Sequence, residues 1–253
     1  MIDKGYIISL LSKGERLDGR RLDEYREIKI ETNKMVNPEG WASVKIGNTH
    51  VMAGVKMDVG QPFPDKPNEG VLMTSAEFSP IASPDFETGP PDEDAIELAR
   101  VVDRGIRESK AINMEKLCIK EGELVWMVHV DIHILNHDGN LIDAAALAAI
   151  TALNNTRLPE YKDEKINYEK KTTKLKLECK PIAVTVFKFK DNFIIDPTAI
   201  EEDVVDGALV VTTKDDGNLC ALQKLGSAGF TKDEIEKIWE IGIKKAKELR
   251  KLI

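Results

Sequence analysis

Between Pro90 and Lys110 an otherwise acidic chain sets three arginines in register. Arg100, Arg104 and Arg107 stand at i, i+4 and i+7. At about 100° per residue they fall within about 60° of one another on a helix. Leu98, Ala99, Val101, Val102 and Ile106 occupy the opposite arc and supply a core-facing side. The arginines therefore project away from that core. Guanidinium groups donate two parallel hydrogen bonds and keep their charge, which suits phosphate. Glu97 and Glu108 flank the row on the same face, so ordinary surface pairing at i,i+4 accounts for it equally well.

Three other groups could do chemistry. His129, Asp131 and His133 alternate along one strand face, a spacing that can ligate a metal. No fourth ligand and no catalytic-metal spacing accompany them, so a half-exposed sheet face is the better reading. Glu201, Glu202, Asp203 and Asp206 gather before a strand. Such a cluster can hold Mg²⁺, although a solvated acidic loop is the commoner outcome. No Gly-x-Ser-x-Gly elbow, P-loop or Gly-x-Gly-x-x-Gly occurs, so no Ser/His/Asp triad and no nucleotide fingerprint is assigned. The expectation is no resident metal and no resident cofactor.

The whole chain limits what these groups can serve. Its 253 residues predict one large domain or two small ones. A hydrophobic content of 42% and a charged content of 32% mark a globular protein. No apolar run approaches the roughly 20 residues of a membrane span. The segment Met1 to Leu11 reads as an amphipathic helix, not a signal peptide. Cys118, Cys179 and Cys220 are few, odd in number and far apart, which predicts a cytoplasmic chain without a disulfide scaffold. A net charge of −8 argues against a general nucleic-acid coat, yet a local basic groove remains open to it.

The elements that must position these residues follow from periodicity. Trp41 to Lys56 reads as a hairpin turning at Gly47-Asn48-Thr49, and Val71 to Pro80 as a further strand. Asp92 is the expected N-cap of the arginine helix. Leu124 to Leu135 alternates, with Trp126, Val128, Val130, Ile132 and Ile134 on one face. After His137-Asp138-Gly139-Asn140, Asp143 is expected to cap a helix of small residues, Ala144 to Asn154. Ile182 to Phe189 with Phe193 to Ile195, and Ala208 to Thr213 with Leu219 to Gln223, form two more hairpins. The closing helix opens on the capping box Thr231-Lys232-Asp233-Glu234, with Ile235, Ile238, Trp239, Ala246, Leu249 and Leu252 as its buried stripe. Both halves place hairpins first and a helix after, a hint of structural duplication. The class is α/β, in a two-layer α+β arrangement of mixed sheets and packed helices. The expected divisions are 1–28 for an N-terminal helix and extension, 29–160 for a first half, 161–180 for a connection and 181–253 for a second half.

Several segments then carry a resemblance. Arg16-Leu17-Asp18-Gly19-Arg20, Tyr25-Arg26, Gly47-Asn48-Thr49 and Asp138-Gly139-Asn140-Leu141-Ile142-Asp143-Ala144 resemble the RNase PH family. Gly60-Gln61-Pro62-Phe63-Pro64-Asp65 and Gly89-Pro90-Pro91-Asp92-Glu93, followed by Glu97 to Arg104, are similar to the non-catalytic members of that family found in the archaeal exosome. The resemblance runs from about Glu15 to the last helix. It implies the RNase PH fold, which is ribosomal protein S5 domain 2-like. It also implies departures from the catalytic pattern. Active members carry two arginines where this chain reads Asp92-Glu93-Asp94. They follow the turn glycine with Thr or Ser and then Arg to hold phosphate, where this chain has Asn140 and Leu141. Their catalytic aspartate aligns with Gly207, one residue after Asp206.

What the resemblance implies is a non-catalytic RNA-binding subunit with no catalytic residue of its own. Arg100 and Arg104, with Arg107 as a further candidate, would grip single-stranded RNA by its phosphates. The partners implied are a catalytic RNase PH-like homologue, in three heterodimers forming a hexameric ring, and RNA-binding cap subunits. That complex would degrade RNA from 3′ to 5′ with inorganic phosphate, Mg²⁺ being a candidate addition. The competing reading is a phosphorolytic exoribonuclease in its own right using Asp206. A one-residue slip at the head of a strand turns a side chain to the other face, and a bulge restores it.

Overall fold

The structure, a computed structural model, describes residues 4–253. The first three residues of the expected N-terminal helix lie outside the described residues; the helix is seen as α1 (Lys4–Ser12).

The first half builds a sheet from β1 (Ile28–Thr32), β2 (Gly40–Ile46), β3 (Thr49–Gly60), β4 (Val71–Phe78), β5 (Cys118–Lys120) and β6 (Leu124–Asn136). Its order is β1-β2-β3-β6-β4, with β5 also paired to β6. Neighbours run antiparallel except β4, which lies parallel to β6. A parallel pair needs a long crossover, and the segment that supplies it contains α2 (Glu93–Glu108). The arginine helix is therefore laid across the sheet by topology. In the first half the helix thus interrupts the strands, where sequence order alone suggested hairpins first and helix after. Val128, Val130, Ile132 and Ile134 are at most 1% exposed, as their alternation requires.

The helix α3 (Leu141–Asn155) packs on β2 and β3 of this sheet and on β9 of the next. Its alanines let backbones approach: a Cβ added at Gly40 would stand 2.4 Å from the Ala152 carbonyl. The connection between the halves is itself a hairpin, β7 (Arg157–Lys162) with β8 (Lys165–Lys174). The second half is an antiparallel sheet of β9 (Ile182–Phe189), β10 (Asn192–Ile195), β11 (Gly207–Thr213) and β12 (Leu219–Gly226), ordered β10-β9-β11-β12. The short α4 (Ala199–Glu202) precedes β11. The last helix, α5 (Lys232–Arg250), covers β9 and β11, starting from the expected Thr231/Glu234 capping box.

Two expectations are corrected here. Asp143 does not cap α3. The N-cap is Asn140, and Asp143 lies within the first turn, with no exposed surface. On α5 the buried residues are Ile238, Gly242, Lys245, Ala246 and Leu249. Ile235, Trp239 and Leu252 are 37%, 45% and 48% exposed, so the helix buries a narrower arc than its apolar residues suggest.

Candidate nucleic-acid interface

The arginine helix begins where expected: the Asp92 carboxylate accepts from Ala95 N at 2.8 Å. Glu93 and Asp94 follow in the first turn, matching the positive end of the helix dipole. Leu98, Ala99, Val101, Val102 and Ile106 are all buried, so the arginines do point away from the core.

The structure divides the row. Arg107 donates from Nε and Nη2 to the two carboxylate oxygens of Asp103, both at 2.9 Å, and from Nη2 to Leu72 O at 3.1 Å. These contacts hold its guanidinium against β4. Arg104 donates from Nη1 to Gln223 Oε1 on β12 at 2.8 Å. Arg100 is exposed and makes no hydrogen bond or ion pair among the described residues. Arg100 and Arg104 line one groove of about 330 Å³ with Ile96, Glu97 and Gln223. Arg107 faces a separate cavity of about 1100 Å³ beside Lys110 and Phe63. The pairing anticipated with Glu97 and Glu108 is not what forms. Asp103 and Gln223 are the partners, leaving one arginine unpaired and one held by an uncharged amide.

Next to that groove, at the N-terminal end of α2, lies a cavity of about 270 Å³. Its wall includes Asp94 and Glu97 from α2, Asn140 from the start of α3, and Glu202 from α4. No lysine or arginine lines it. Asn140 sits in the left-handed region at φ 54°, directly after Gly139 at φ 81°. A Cβ at Gly139 would lie 2.4 Å from Pro197 O, so the turn demands glycine. Asn140 N donates to Glu202 Oε2 at 3.1 Å. Burial pushes the Glu202 carboxyl up to about 7, against the pull of that hydrogen bond and of Arg26.

Beneath the cavity a polar weld joins the two halves. Asp143 accepts from Thr185 N at 2.8 Å, Thr185 Oγ1 at 2.7 Å and Tyr25 OH at 2.6 Å. Burial raises its carboxyl to about 7 even though these bonds favour the charged form. Arg26 donates to both oxygens of Asp196, at 2.8 and 2.7 Å, and to Asp138 O. Arg16, with its side chain wholly buried, pairs with Glu201 and donates to the carbonyls of Ile195 and Asp196. The sequence motifs around Arg16 and Tyr25-Arg26 were legible only as a resemblance. The structure shows them to be this joint.

The acidic cluster is solvated only in part: Asp203 and Asp206 are exposed, and the two glutamates are not. Glu201 is 1% exposed and answers Arg16, while Glu202 faces the cavity. Asp206 precedes Gly207, the first residue of β11, and its carboxylate accepts from Lys190 N in the β9–β10 turn at 2.6 Å. It takes no part in lining the cavity. On the outer sheet face Asp131 accepts from Ser75 Oγ at 2.7 Å, and His133 stands 3.3 Å from Glu77. Among the described residues no cluster of His, Cys, Asp or Glu is disposed to hold a metal. No helix among the described residues is long and apolar enough to cross a membrane.

Comparison with known proteins places this geometry. The model of the 3′ exoribonuclease (RNase PH) family, domain 1, matches residues 24–159, and that of its domain 2 matches residues 179–245. The exosome complex component Rrp42 of Pyrococcus abyssi is 47% identical over 256 residues, covering 100% of this chain and 93% of that protein. The component of the same name from Methanosarcina acetivorans is 45% identical, covering 99% and 93%. A chain of the Archaeoglobus fulgidus exosome with RNA bound to the active site superposes with a TM-score of 0.93. It is 46% identical, and 98% of this chain and 96% of that one are covered. A chain of an archaeal exosome core gives 0.87 at 42% identity, over 98% and 94%.

Proposed function

The chain belongs to the 3′ exoribonuclease family of RNase PH fold, and on that premise we propose that it is an RNA-binding, structural subunit of an exosome ring that does not itself cleave RNA. One observation carries this reading. The pocket beside the turn glycine is lined by Asp94, Glu97 and Glu202 and by no cation, while two exposed arginines stand one groove away. Phosphorolysis brings a phosphate ion up to a phosphodiester, and both are anions. Their approach must be offset by fixed positive charge. A pocket walled by carboxylates raises that barrier. The neighbouring groove, in contrast, suits a passing phosphate backbone, since Arg100 is unpaired and Arg104 gives up only a bond to Gln223.

Chemistry would then belong to a catalytic homologue. In our reading the two subunit types meet so that Arg100 and Arg104 complete that homologue's RNA path. Arg107 braces α2 in place of binding RNA. Three such heterodimers make the ring, RNA-binding cap subunits sit on it, and inorganic phosphate, with or without Mg²⁺, is consumed by the partner. The complex would work in the cytoplasm. Relatives described as exosome components, one of them in a complex with RNA at the active site, support this assignment. The alternative, a nuclease centred on Asp206, is disfavoured by the position of that residue, which lies outside the cavity beside the turn glycine and accepts from Lys190 N in the β9–β10 turn.

The test is direct. The purified chain, given oligo(A), phosphate and Mg²⁺, should release no nucleoside diphosphate, and activity should emerge on mixing with the catalytic homologue. Steady phosphorolysis by the chain alone would refute the proposal.

A further inference from the structure

Gln223 stands on β12, paired with Val210 of β11, at the edge of the groove that holds Arg100 and Arg104. Its amide joins two groups of opposite charge. Oε1 accepts from Arg104 Nη1 at 2.8 Å, while Nε2 donates to Glu97 Oε1 at 3.4 Å and to the Lys224 carbonyl at 3.3 Å. A guanidinium only donates and a carboxylate only accepts, so both neighbours demand the same orientation of the amide.

Glu97 is the acid that could silence the row. It precedes Arg100 by three positions and Arg104 by seven, which puts all three on one face of α2. Among the described residues, neither arginine forms an ion pair with it. Glu93, one turn earlier, also lines the groove and pairs with neither. An ion pair would cancel the charge that a phosphate needs. A hydrogen bond to an uncharged amide fixes the Arg104 guanidinium and leaves its charge whole. A glutamate at position 223 would do the reverse. It would hold α2 to β12 at least as firmly, by a charge-assisted bond, and would neutralise Arg104.

We propose that Gln223 is a positioning residue for RNA: its amide holds Arg104 at the groove with its charge intact and occupies the Glu97 carboxylate that would otherwise pair with the arginines. The inference rests on the RNA-binding role proposed above and adds to it the residue that keeps the row available. It also gives β12, in the second half, a part in a site otherwise carried by α2.

The experiment follows labelled oligo(A) by fluorescence anisotropy, across salt, with the complex of this chain and its catalytic homologue. It compares Gln223→Glu, Arg104→Ala and the two combined. Gln223→Glu should weaken RNA binding and flatten the salt slope by about 0.7, the share of one phosphate contact on a single strand. Its urea midpoint should be no lower than that of the wild type, because the contact between α2 and β12 is retained. A merely structural role predicts no loss of RNA affinity in that variant. In the Arg104→Ala background, Gln223→Glu should flatten the slope no further, which separates loss of Arg104 from simple repulsion of RNA by an added carboxylate. Unchanged binding in Arg104→Ala overturns the RNA-binding reading of that arginine and the inference with it. Weakened binding in Arg104→Ala, but not in Gln223→Glu, overturns the inference alone. So does a further flattening of equal size in the combined variant, or a lowered urea midpoint in Gln223→Glu.

Discussion

Replacing Arg100 and Arg104 together by alanine isolates the proposed RNA contact. Both side chains are exposed, and the only hydrogen bond lost is the one from Arg104 to Gln223. Folding and ring assembly should be retained. Each phosphate neutralised on a single strand contributes about 0.7 to the slope of log affinity against log salt, so two lost contacts flatten that slope by about 1.4. Between 50 and 200 mM salt, a fourfold span, wild-type affinity should fall about sevenfold further than that of the variant. The assay is fluorescence anisotropy of labelled oligo(A) with the complex of this chain and its catalytic homologue, repeated across salt. Arg107→Ala supplies the internal control. Its guanidinium is committed to Asp103 and Leu72 O, so it should leave the slope untouched and lower stability by roughly 0.5 kcal/mol. Charge reversal to glutamate at 100 and 104 should weaken binding more steeply. An unchanged slope in the double variant, or an equal change in Arg107→Ala, would refute the division of the row drawn from the structure.

Other perturbations probe the joint beneath the cavity. Glu201→Gln leaves the Arg16 guanidinium buried without its counter-charge and should cost about 3–5 kcal/mol, read as a lower denaturant midpoint. A loss below about 1 kcal/mol would show that the carbonyls of Ile195 and Asp196 suffice as partners. Gly139→Ala forces a Cβ against Pro197 O at positive φ and should destabilise by more than about 1 kcal/mol in the same measurement. For pH, the carboxyls of Asp143 and Glu202 are both raised by burial to about 7, from ordinary values of 3.8 and 4.5. The folded chain therefore holds protons that the unfolded chain releases. That contribution is complete below about pH 4 and is lost as pH rises through about 7. Urea midpoints should fall from pH 6 to pH 8, and Glu202→Gln should shrink the fall; a fall of undiminished size in that variant would exclude Glu202 as a source.

What could be read in advance was whatever has a local period or a local cap. The alternation from Trp126 to Ile134, the Asp92 cap and the Thr231/Glu234 box appear as expected because each is decided within a few residues. The parallel pairing of β4 with β6 has no such signature, since it depends on where α2 returns the chain. Asp143 looked like a cap because an acid ahead of an alanine run usually is one. Its true partners, Thr185 and Tyr25, are 42 and 118 positions away. Trp239 and Ile235 complete an apolar stripe on paper, but the strands beneath α5 meet only one side of it. The arginine row was legible as a row. Its division between two cavities was not, because Asp103, Leu72 and Gln223 become neighbours only in the folded chain.

The joint beneath the cavity also limits how the chain can move. Tyr25 and Arg26 lie in the extended segment before β1, Asp138 and Asp143 belong to the first half, and Thr185 and Asp196 to the second. Cutting any plane between the halves breaks charged hydrogen bonds that are out of reach of water, and the apolar core is continuous across that plane, from Ala42 and Val130 through Leu147 to Val184 and Leu249. A hinge needs a seam made of weak, wettable contacts alone; such contacts exist where Arg104 meets Gln223, but the buried joint and the shared core hold the halves beneath them. The groove of Arg100 and Arg104 is thus a rigid track whose width is set when the chain folds. On the proposed function, a strand of RNA would have to fit it as it stands, and the gating of entry would pass to whatever subunit closes around it.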